Sequence, residues 1–190
     1  MRALALADEI GYPKGAGIAS LNLGNLHLET GDWAEAERFL QKAEAVMNEV
    51  QDKFTVVEVY TLLALVKCRT SGPTSEPDLQ ALAYLEKASA LTREIGSKYT
   101  LPRIHSVYGT VYAAAGDYPR SEEEFKQAVA MYAGLAQPTN EADAWLEYAR
   151  MLAQAEGKGA SLEGRSPEAF GKAREIYQGL NLAHKVKECQ

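Results

Sequence analysis

The stretch LNLGNLHLETGDWAEAERFLQKA, residues 21–43, decides the fold of this chain. On both sides of the Gly31-Asp32 step, apolar residues recur at intervals of three and four, which predicts two helices with one buried face each. Asp32 stands where an N-cap is expected, and Glu35 follows three residues later, as in a capping box. The stretch therefore predicts two antiparallel helices joined by a tight turn.

The same pattern returns along the chain. The segment VYGTVYAAAGDYPRSEEEFKQA occupies residues 107–128, and its turn reads GDY where the first reads GDW. At four places an apolar residue precedes a Gly or Ala by fourteen residues: Ile10 and Gly24, Val50 and Ala64, Ile95 and Gly109, Leu135 and Ala149. Leu180 continues the series of apolar residues, whose successive members are 40, 45, 40 and 45 residues apart. Such a period is typical of a solenoid of stacked helix pairs.

The apolar spacing predicts ten helices and no convincing strand. Their predicted bounds are 1–10, 15–30, 33–50, 53–70, 77–95, 100–115, 118–135, 140–155, 166–179 and 182–189. All seven prolines fall in predicted loops or first helical turns, where a missing N–H removes no helical hydrogen bond. Asp117 and Ser166 are further predicted N-caps. The connections at 71–78 and 156–165 are polar and rich in Gly and Ser, so we expect surface loops, with a binding role left open.

Composition excludes several classes of function. A net charge of -6 and an isoelectric point near 5.2 argue against wrapping nucleic acid, which needs a basic face. The sequence contains no run of 18 uncharged apolar residues, so no membrane span is predicted, and the N-terminus does not resemble a signal peptide. Cys68 and Cys189 lack metal-type spacing and are too few for a disulfide scaffold, which favours a cytoplasmic protein without metal or cofactor.

The residue types that could serve in catalysis or ligand binding are interpreted here as structural residues. No Cys/His pair has supporting context, and no glycine-rich phosphate loop follows a strand. The acidic run Glu122–Glu124 is predicted to form a solvated outer face, with Glu122 paired to Lys126. Four large polar or aromatic side chains are predicted to pack between helices: His27, His105, Trp33 and Trp145.

With its repeats aligned, the chain resembles the tetratricopeptide repeat family. The match lies in the GDW and GDY turns, in three aligned columns of small residues and in one column of large apolar residues. The small columns are Gly24, Ala64, Gly109, Ala149; Ala36, Ala81, Ser121, Ser166; and Ala43, Ala88, Ala128, Ala173, and the large column is Leu40, Leu85, Phe125, Phe170. Small residues at these places let two helices nest closely. The family pattern has a period of about 34 residues; this longer period resembles the branch of kinesin light chain and of sensor arrays in bacterial signal-transduction ATPases.

The resemblance implies an all-α, right-handed α-solenoid of antiparallel helix pairs, with four tetratricopeptide-like repeats and terminal helices. The expected bounds are 1–14 for the end of a preceding repeat, 15–52, 53–97, 98–137 and 138–179 for repeats one to four, and 180–190 for a closing helix. It further favours the interpretation that the chain is the C-terminal part of a larger protein, with a free-standing protein of this size as the alternative.

The resemblance also implies a binding surface. In such arrays the first helix of each repeat lines a concave groove that holds a peptide. On this chain the candidate peptide-binding residues are Leu21, Asn22, Asn25, Glu58, Leu62, Leu65, Arg103, Ser106, Thr110, Asp143, Glu147 and Arg150. In related long-repeat arrays, asparagines at the places of Asn22 and Asn25 hold an extended peptide. The alternative is that these two amides hydrogen-bond only within the solenoid.

Two functions follow as hypotheses. The first is a non-enzymatic interaction module that binds a peptide or protein segment in its groove, as the sensor or scaffold end of a bacterial regulator. The second is a structural part that assembles with copies of itself or with neighbouring domains, because a first edge with Leu4 and Leu6 exposed would favour stacking against another chain. An enzyme would need an arrangement of His, Asp or Glu that the sequence does not reveal.

Overall fold

A computed structural model describes residues 2–73, 75–159 and 165–189 of the chain. Within these residues it is all-α and contains no strand. The helices are α1 (Arg2–Glu9), α2 (Pro13–Thr30), α3 (Trp33–Glu49), α4 (Lys53–Ser71), α5 (Leu79–Ile95), α6 (Leu101–Ala114), α7 (Tyr118–Gly134), α8 (Pro138–Gly157), α9 (Arg165–Gly179) and α10 (Ala183–Val186), and a 3-10 turn follows at Lys187–Cys189. The predicted all-α class is confirmed.

The helices pack as the repeat pattern predicts, each pair formed by a first and a second helix joined by a turn. The pairs are α2 with α3, α4 with α5, α6 with α7, and α8 with α9. They belong to two compact modules. The N-terminal module comprises Met1–Gly72 and Asp78–Thr100, and the C-terminal module comprises Pro73–Pro77 and Leu101–Gln190.

Aspartates cap the N-termini of four of the described helices. Asp32 and Asp117 accept from the backbone N–H three residues later, at 3.3 and 3.1 Å, so both predicted N-caps are confirmed. Asp52 and Asp78 do the same for α4 and α5. The capping box expected at Glu35 is incomplete, because that carboxylate turns outward to the Arg38 guanidinium at 2.6 Å.

The predicted cap at Ser166 is wrong. Its hydroxyl donates to Glu156 Oε2 at 2.6 Å, and its backbone N–H donates to Glu156 Oε1 at 3.2 Å. A carboxylate from α8 thus satisfies the first N–H groups of α9, which matches the preference of helix N-termini for negative charge. Local sequence could not indicate this cap, because the acceptor lies ten residues away across the connection that precedes α9.

Close contact between the two helices of a pair depends on small residues. A Cβ atom built on Gly24 would lie 2.6 Å from Leu40 Cγ, and one built on Gly109 would lie 2.8 Å from the Phe125 ring. Leu40 is 0% and Phe125 is 1% exposed, so neither side chain can turn away into solvent. The aligned columns of Gly, Ala and large apolar residues in the sequence therefore mark real points of helix contact.

The joints between successive pairs share one backbone feature. The five apolar residues of the repeating series are Ile10, Val50, Ile95, Leu135 and Leu180. Each is followed by a residue with positive φ: Gly11 (63°), Gln51 (57°), Gly96 (66°), Ala136 (53°) and Asn181 (57°). This left-handed residue ends each second helix and redirects the chain into the next first helix. Glycine occupies only two of the five places, and the conformation disfavours the side chains of Gln51 and Ala136.

Substitution of Gly109 tests the close-contact role. We expect Gly109→Ala to lose about 1–3 kcal/mol by overpacking against Phe125, more than the gain of up to about 1 kcal/mol from helix propensity. Gly171→Ala is the matched control, because its Cβ would meet no atom within 4 Å. Denaturant unfolding should show the first variant less stable and the second at least as stable as the parent; equal stabilisation of both would contradict the contact.

Substitution at a joint between successive pairs should stabilise the protein, in contrast to the loss of stability expected for Gly109→Ala. Ala136→Gly relieves a left-handed residue, so we expect the free energy of unfolding to rise by about 0.5–1 kcal/mol. The neighbouring Gly134 has a helical backbone and open space around it, so Gly134→Ala is a control for propensity alone. Thermal unfolding of both variants checks the prediction, and a fall in midpoint for Ala136→Gly would show that the joint is not strained.

Candidate functional site

In the N-terminal module, the candidate residues lie on α2 and α4, the two first helices, which contact one another. On α2, residues 18, 22, 25 and 29 follow one another at helical spacing and therefore share one face. Ile18 is 39% exposed, Asn22 is exposed, and Asn25 is half-buried. This α2 face, defined by Ile18, Asn22, Asn25 and Glu29, presents two amides next to one apolar side chain.

The two asparagines differ in their hydrogen bonds. Asn25 Nδ2 donates to Glu29 Oε1 at 3.1 Å, one helical turn away. Among the residues that the structure describes, the Asn22 amide meets no hydrogen-bond partner. Asn22 therefore offers both a donor and an acceptor to solvent, which is the capacity needed to pair with a peptide backbone.

The leucines expected to contact a ligand are mostly core residues. Leu21 is 5%, Leu62 is 4% and Leu65 is 9% exposed, and the first two belong to the cluster that joins α2, α3 and α4. They hold the module together and offer little surface, so their expected contribution to affinity is corrected to a structural one. Glu58 on α4 is exposed beside them.

In the C-terminal module, the α6 candidates differ in accessibility. Arg103 is exposed, whereas Ser106 is only 2% exposed and faces the interior. The Thr110 hydroxyl donates to the Ser106 carbonyl at 3.1 Å within the helix. Arg103 is therefore the α6 candidate with an accessible charged group.

The α8 candidates are already engaged within the module. Asp143 accepts from the Tyr177 hydroxyl at 2.6 Å and lies 3.2 Å from Lys185 Nζ. Arg150 donates to Glu188 Oε2 at 3.1 Å. The sequence predicted a closing helix at 182–189, and that segment indeed follows α9, but the pairing of its charges with α8 was missed. Only the polarity of Lys185 and Glu188 could have hinted at it.

The α7 helix of this module holds a buried phenol. Tyr132 of α7 is 5% exposed. Burial raises the pKa of Tyr132 to about 12; the Arg103 charge opposes this rise, and the Glu147 and Asp143 carboxylates add to it. Arg103, Asp143 and Glu147 thus all act electrostatically on one buried hydroxyl, and Glu147 itself is half-buried.

The acidic run on α7 is not the solvated face that the sequence predicted. Glu122 does pair with Lys126 at 2.8 Å, but its side chain is only 12% exposed and also accepts from the Tyr148 hydroxyl at 2.9 Å. Glu124 binds His105 Nδ1 at 2.6 Å across to α6. The run mostly ties helices together because two of its three carboxylates point along the packed side of α7.

The remaining packing predictions are confirmed. His27 stacks on Phe39 with ring centroids 5.4 Å apart, and His105 is half-buried against Glu124. Trp33 and Trp145 are partly buried against the apolar clusters of their modules. Within the described ranges, no three His, Cys, Asp or Glu side chains gather as metal ligands would.

A tetratricopeptide repeat family model matches residues 19–50 of the chain. This match supports the tetratricopeptide resemblance. The matched stretch covers all of α3 and α2 from residue 19 onward, the part of the pair that carries Gly24, the GDW turn and both asparagines. Tetratricopeptide repeats generally mediate protein–protein interactions.

A solved structure supports the fold over the whole length. BtubC (BKLC) from P. vanneervenii, known from a crystal structure, aligns with a TM-score of 0.61 and 16% sequence identity, covering 99% of this chain and 84% of that one. At this identity the likeness concerns the fold alone. A comparison with curated proteins finds no match. None of the described helices is both long enough and apolar enough to cross a bilayer.

The raised pKa of Tyr132 predicts how the protein responds to alkali. Because the folded-state pKa lies above the unfolded value, the stability that the neutral Tyr132 phenol contributes is fully present below about pH 10 and is lost as the pH rises toward the folded value near 12. Tyr132→Phe removes this term, so we expect it to move the alkaline unfolding midpoint to higher pH. Circular dichroism during a pH titration measures the midpoint. Tyr99→Phe, at a side chain 54% exposed, is the control, and equal shifts in both variants would contradict the assignment.

Proposed function

We propose that this chain is a non-enzymatic protein-interaction module that binds an extended peptide or protein segment along the α2 face. The observation that carries the proposal is the exposed Asn22 amide without a partner, three residues before a second amide on the same face. The tetratricopeptide resemblance supports an interaction role. We further propose a cytoplasmic setting, as the sensor or scaffold part of a larger bacterial regulator of the long-repeat branch.

The spacing of the two amides suits an extended backbone. Side chains three residues apart on a helix have Cβ atoms about 5–6 Å apart. In an extended peptide, groups on one side recur every two residues, at about 7 Å. Two flexible amides can span this difference, so Asn22 and Asn25 can each pair with successive backbone groups on one side of a peptide. Because backbone groups are common to all residues, these contacts fix the peptide's position without selecting its sequence.

Selectivity would come from the ends of the same face. Ile18 lies about one turn before Asn22 and is 39% exposed, so it can contact an apolar side chain of the peptide. Glu29 lies one turn after Asn25 and already accepts from it at 3.1 Å. A basic peptide side chain near Glu29 would release Asn25 to the peptide. The proposed ligand is therefore extended, with an apolar residue at one end and a basic residue at the other.

The energetic scale predicts modest affinity. Each neutral hydrogen bond contributes about 0.5–1.5 kcal/mol net, and association itself costs several kcal/mol. Two amides and one apolar contact alone therefore support only weak binding, short of the about −8 kcal/mol that micromolar affinity requires. The buried leucines of α2 and α4 keep the face rigid, which lowers the ordering cost of binding.

Selection from a random peptide library tests the site. Peptides selected on the parent protein should carry the apolar and basic pattern, and Asn22→Ala with Asn25→Ala should weaken their binding at least about tenfold, because two backbone pairings are lost. Fluorescence anisotropy of a labelled selected peptide measures this.

The matched control is Asn140→Ala. Asn140 is also exposed, and its amide donates to Gln137 at 3.1 Å near the start of α8, as Asn25 donates to Glu29. This variant should bind the peptide like the parent. Unchanged affinity in the double variant would remove the α2 face as the binding site.

A further inference from the structure

Two tyrosine rings lie side by side in the N-terminal module, where α4 contacts both α3 and α5. The ring centroids of Tyr60 on α4 and Tyr84 on α5 are 5.9 Å apart, with 36° between the ring planes. Both rings are half-buried and pack against the apolar cluster that contains Leu40 and Leu63. The core therefore holds the two rings in place, while part of each ring stays accessible to solvent.

A lysine shows which kind of group these rings attract. Lys87 of α5 is exposed, and its Nζ lies 5.5 Å from the centroid of the Tyr60 ring and 5.2 Å from that of the Tyr84 ring. A cation within about 6 Å of a ring centroid is attracted by the negative face of the ring. The two tyrosines therefore form a surface for positive charge, and Lys87 occupies part of it.

A carboxylate without a basic partner lies beside the rings. Burial raises the pKa of Tyr60 and the pKa of Tyr84, and the Glu44 carboxylate of α3 adds to both rises, so it is close to both phenols. Glu44 is half-buried, and no basic side chain in the described part of the chain forms an ion pair with it. A partly desolvated carboxylate gains from a nearby cation, so Glu44 is an acceptor for a basic ligand group.

The register between α3 and α4 shows what is missing at Glu44. Glu37 of α3 pairs with Lys67 of α4 at 2.6 Å. Glu44 follows Glu37 by seven residues, and Tyr60 precedes Lys67 by seven residues, so both steps span about two helical turns. Since successive helices run in opposite directions, Glu44 lies level with Tyr60. One level thus contains a complete carboxylate–ammonium pair, and the other contains a carboxylate beside a ring.

The C-terminal module has apolar side chains at the equivalent positions. In the aligned repeats, Val129 takes the position of Glu44. Trp145 likewise takes the position of Tyr60. Val129 is 6% exposed and belongs to an apolar cluster against which Trp145 packs. The repeat therefore folds without a carboxylate at this position, which indicates that Glu44 has a role other than packing.

We propose that Glu44, Tyr60 and Tyr84 form a binding site for a guanidinium group, presented by an arginine side chain of a partner protein. The flat guanidinium stacks on the tyrosine rings while its N–H groups donate to the Glu44 carboxylate, a combination that suits arginine better than lysine. Lys87 lies over the same rings and competes with the arginine. The three residues belong to α3, α4 and α5, so the site shares no residue with the α2 face.

A blocked peptide, acetyl-Gly-Arg-Gly-amide, is the probe, and the same peptide with citrulline in place of arginine is its neutral control. In a nuclear magnetic resonance titration we expect saturable binding of the arginine peptide. Its side-chain Hδ signals should move upfield, because they lie over the faces of the tyrosine rings. The citrulline peptide should give no saturable shift. Glu44→Gln should weaken binding of the arginine peptide about fivefold, because the acceptor loses its charge.

A second variant is expected to act in the opposite direction. Lys87→Gln removes the competing cation from the rings, so it should tighten binding of the arginine peptide about two- to threefold. Glu49→Gln, at an exposed carboxylate on the same helix as Glu44, is the matched control for a general loss of negative charge. This control should bind like the parent, and so should the variant with Asn22→Ala and Asn25→Ala.

Three results would overturn the proposal. The first is absence of saturable binding, or equal affinity of Glu44→Gln and the parent. The second is tighter binding of the corresponding lysine peptide, because the site would then select an ammonium group. The third is loss of binding in the variant with Asn22→Ala and Asn25→Ala, because the probe would then occupy the α2 face.

Discussion

The structure depends on how closely the two helices of each pair approach. Gly24 against Leu40 and Gly109 against Phe125 leave no space for even one added methyl group. This contact positions the second helix, and the second helix then supplies the apolar face on which the following first helix packs within a module. Since close-packed interiors tolerate little added volume, the choice of small residues fixes the geometry of the repeat. The buried side of α2 is held at this contact, which fixes where its exposed face lies.

Most of the fold could be predicted from the sequence because its determinants are local and repeated. Helix periodicity, the GDW and GDY turns and the aspartate caps act within a few residues, and their recurrence at 40 and 45 residues made each copy support the others. The left-handed residues at Gln51 and Ala136 were not foreseen, since neither residue type signals that conformation. A left-handed residue follows each apolar residue of the series and ends a second helix, so the series repeats with the helix pairs.

The candidate site could be predicted less well, because a residue's accessibility depends on its neighbours in three dimensions. Helix position alone placed Leu21 and Ser106 in a groove, but other helices bury both. Likewise, Asp143 and Arg150 are charged residues on the expected face, yet the segment after α9 occupies them. Asn22 keeps its predicted character because nothing in the described part of the chain covers it. The site thus narrows from a long row of positions to the face of one helix.

The central claim is that the Asn22 and Asn25 amides contact the ligand directly. Side-chain amide resonances of asparagine, assigned by nuclear magnetic resonance and followed while a library-selected peptide is titrated, test it on the unaltered protein. We predict that the Asn22 and Asn25 side-chain signals shift progressively to saturation while those of Asn140 and Asn181 stay in place. Saturation of peptide binding with the Asn22 and Asn25 signals unmoved would contradict the account.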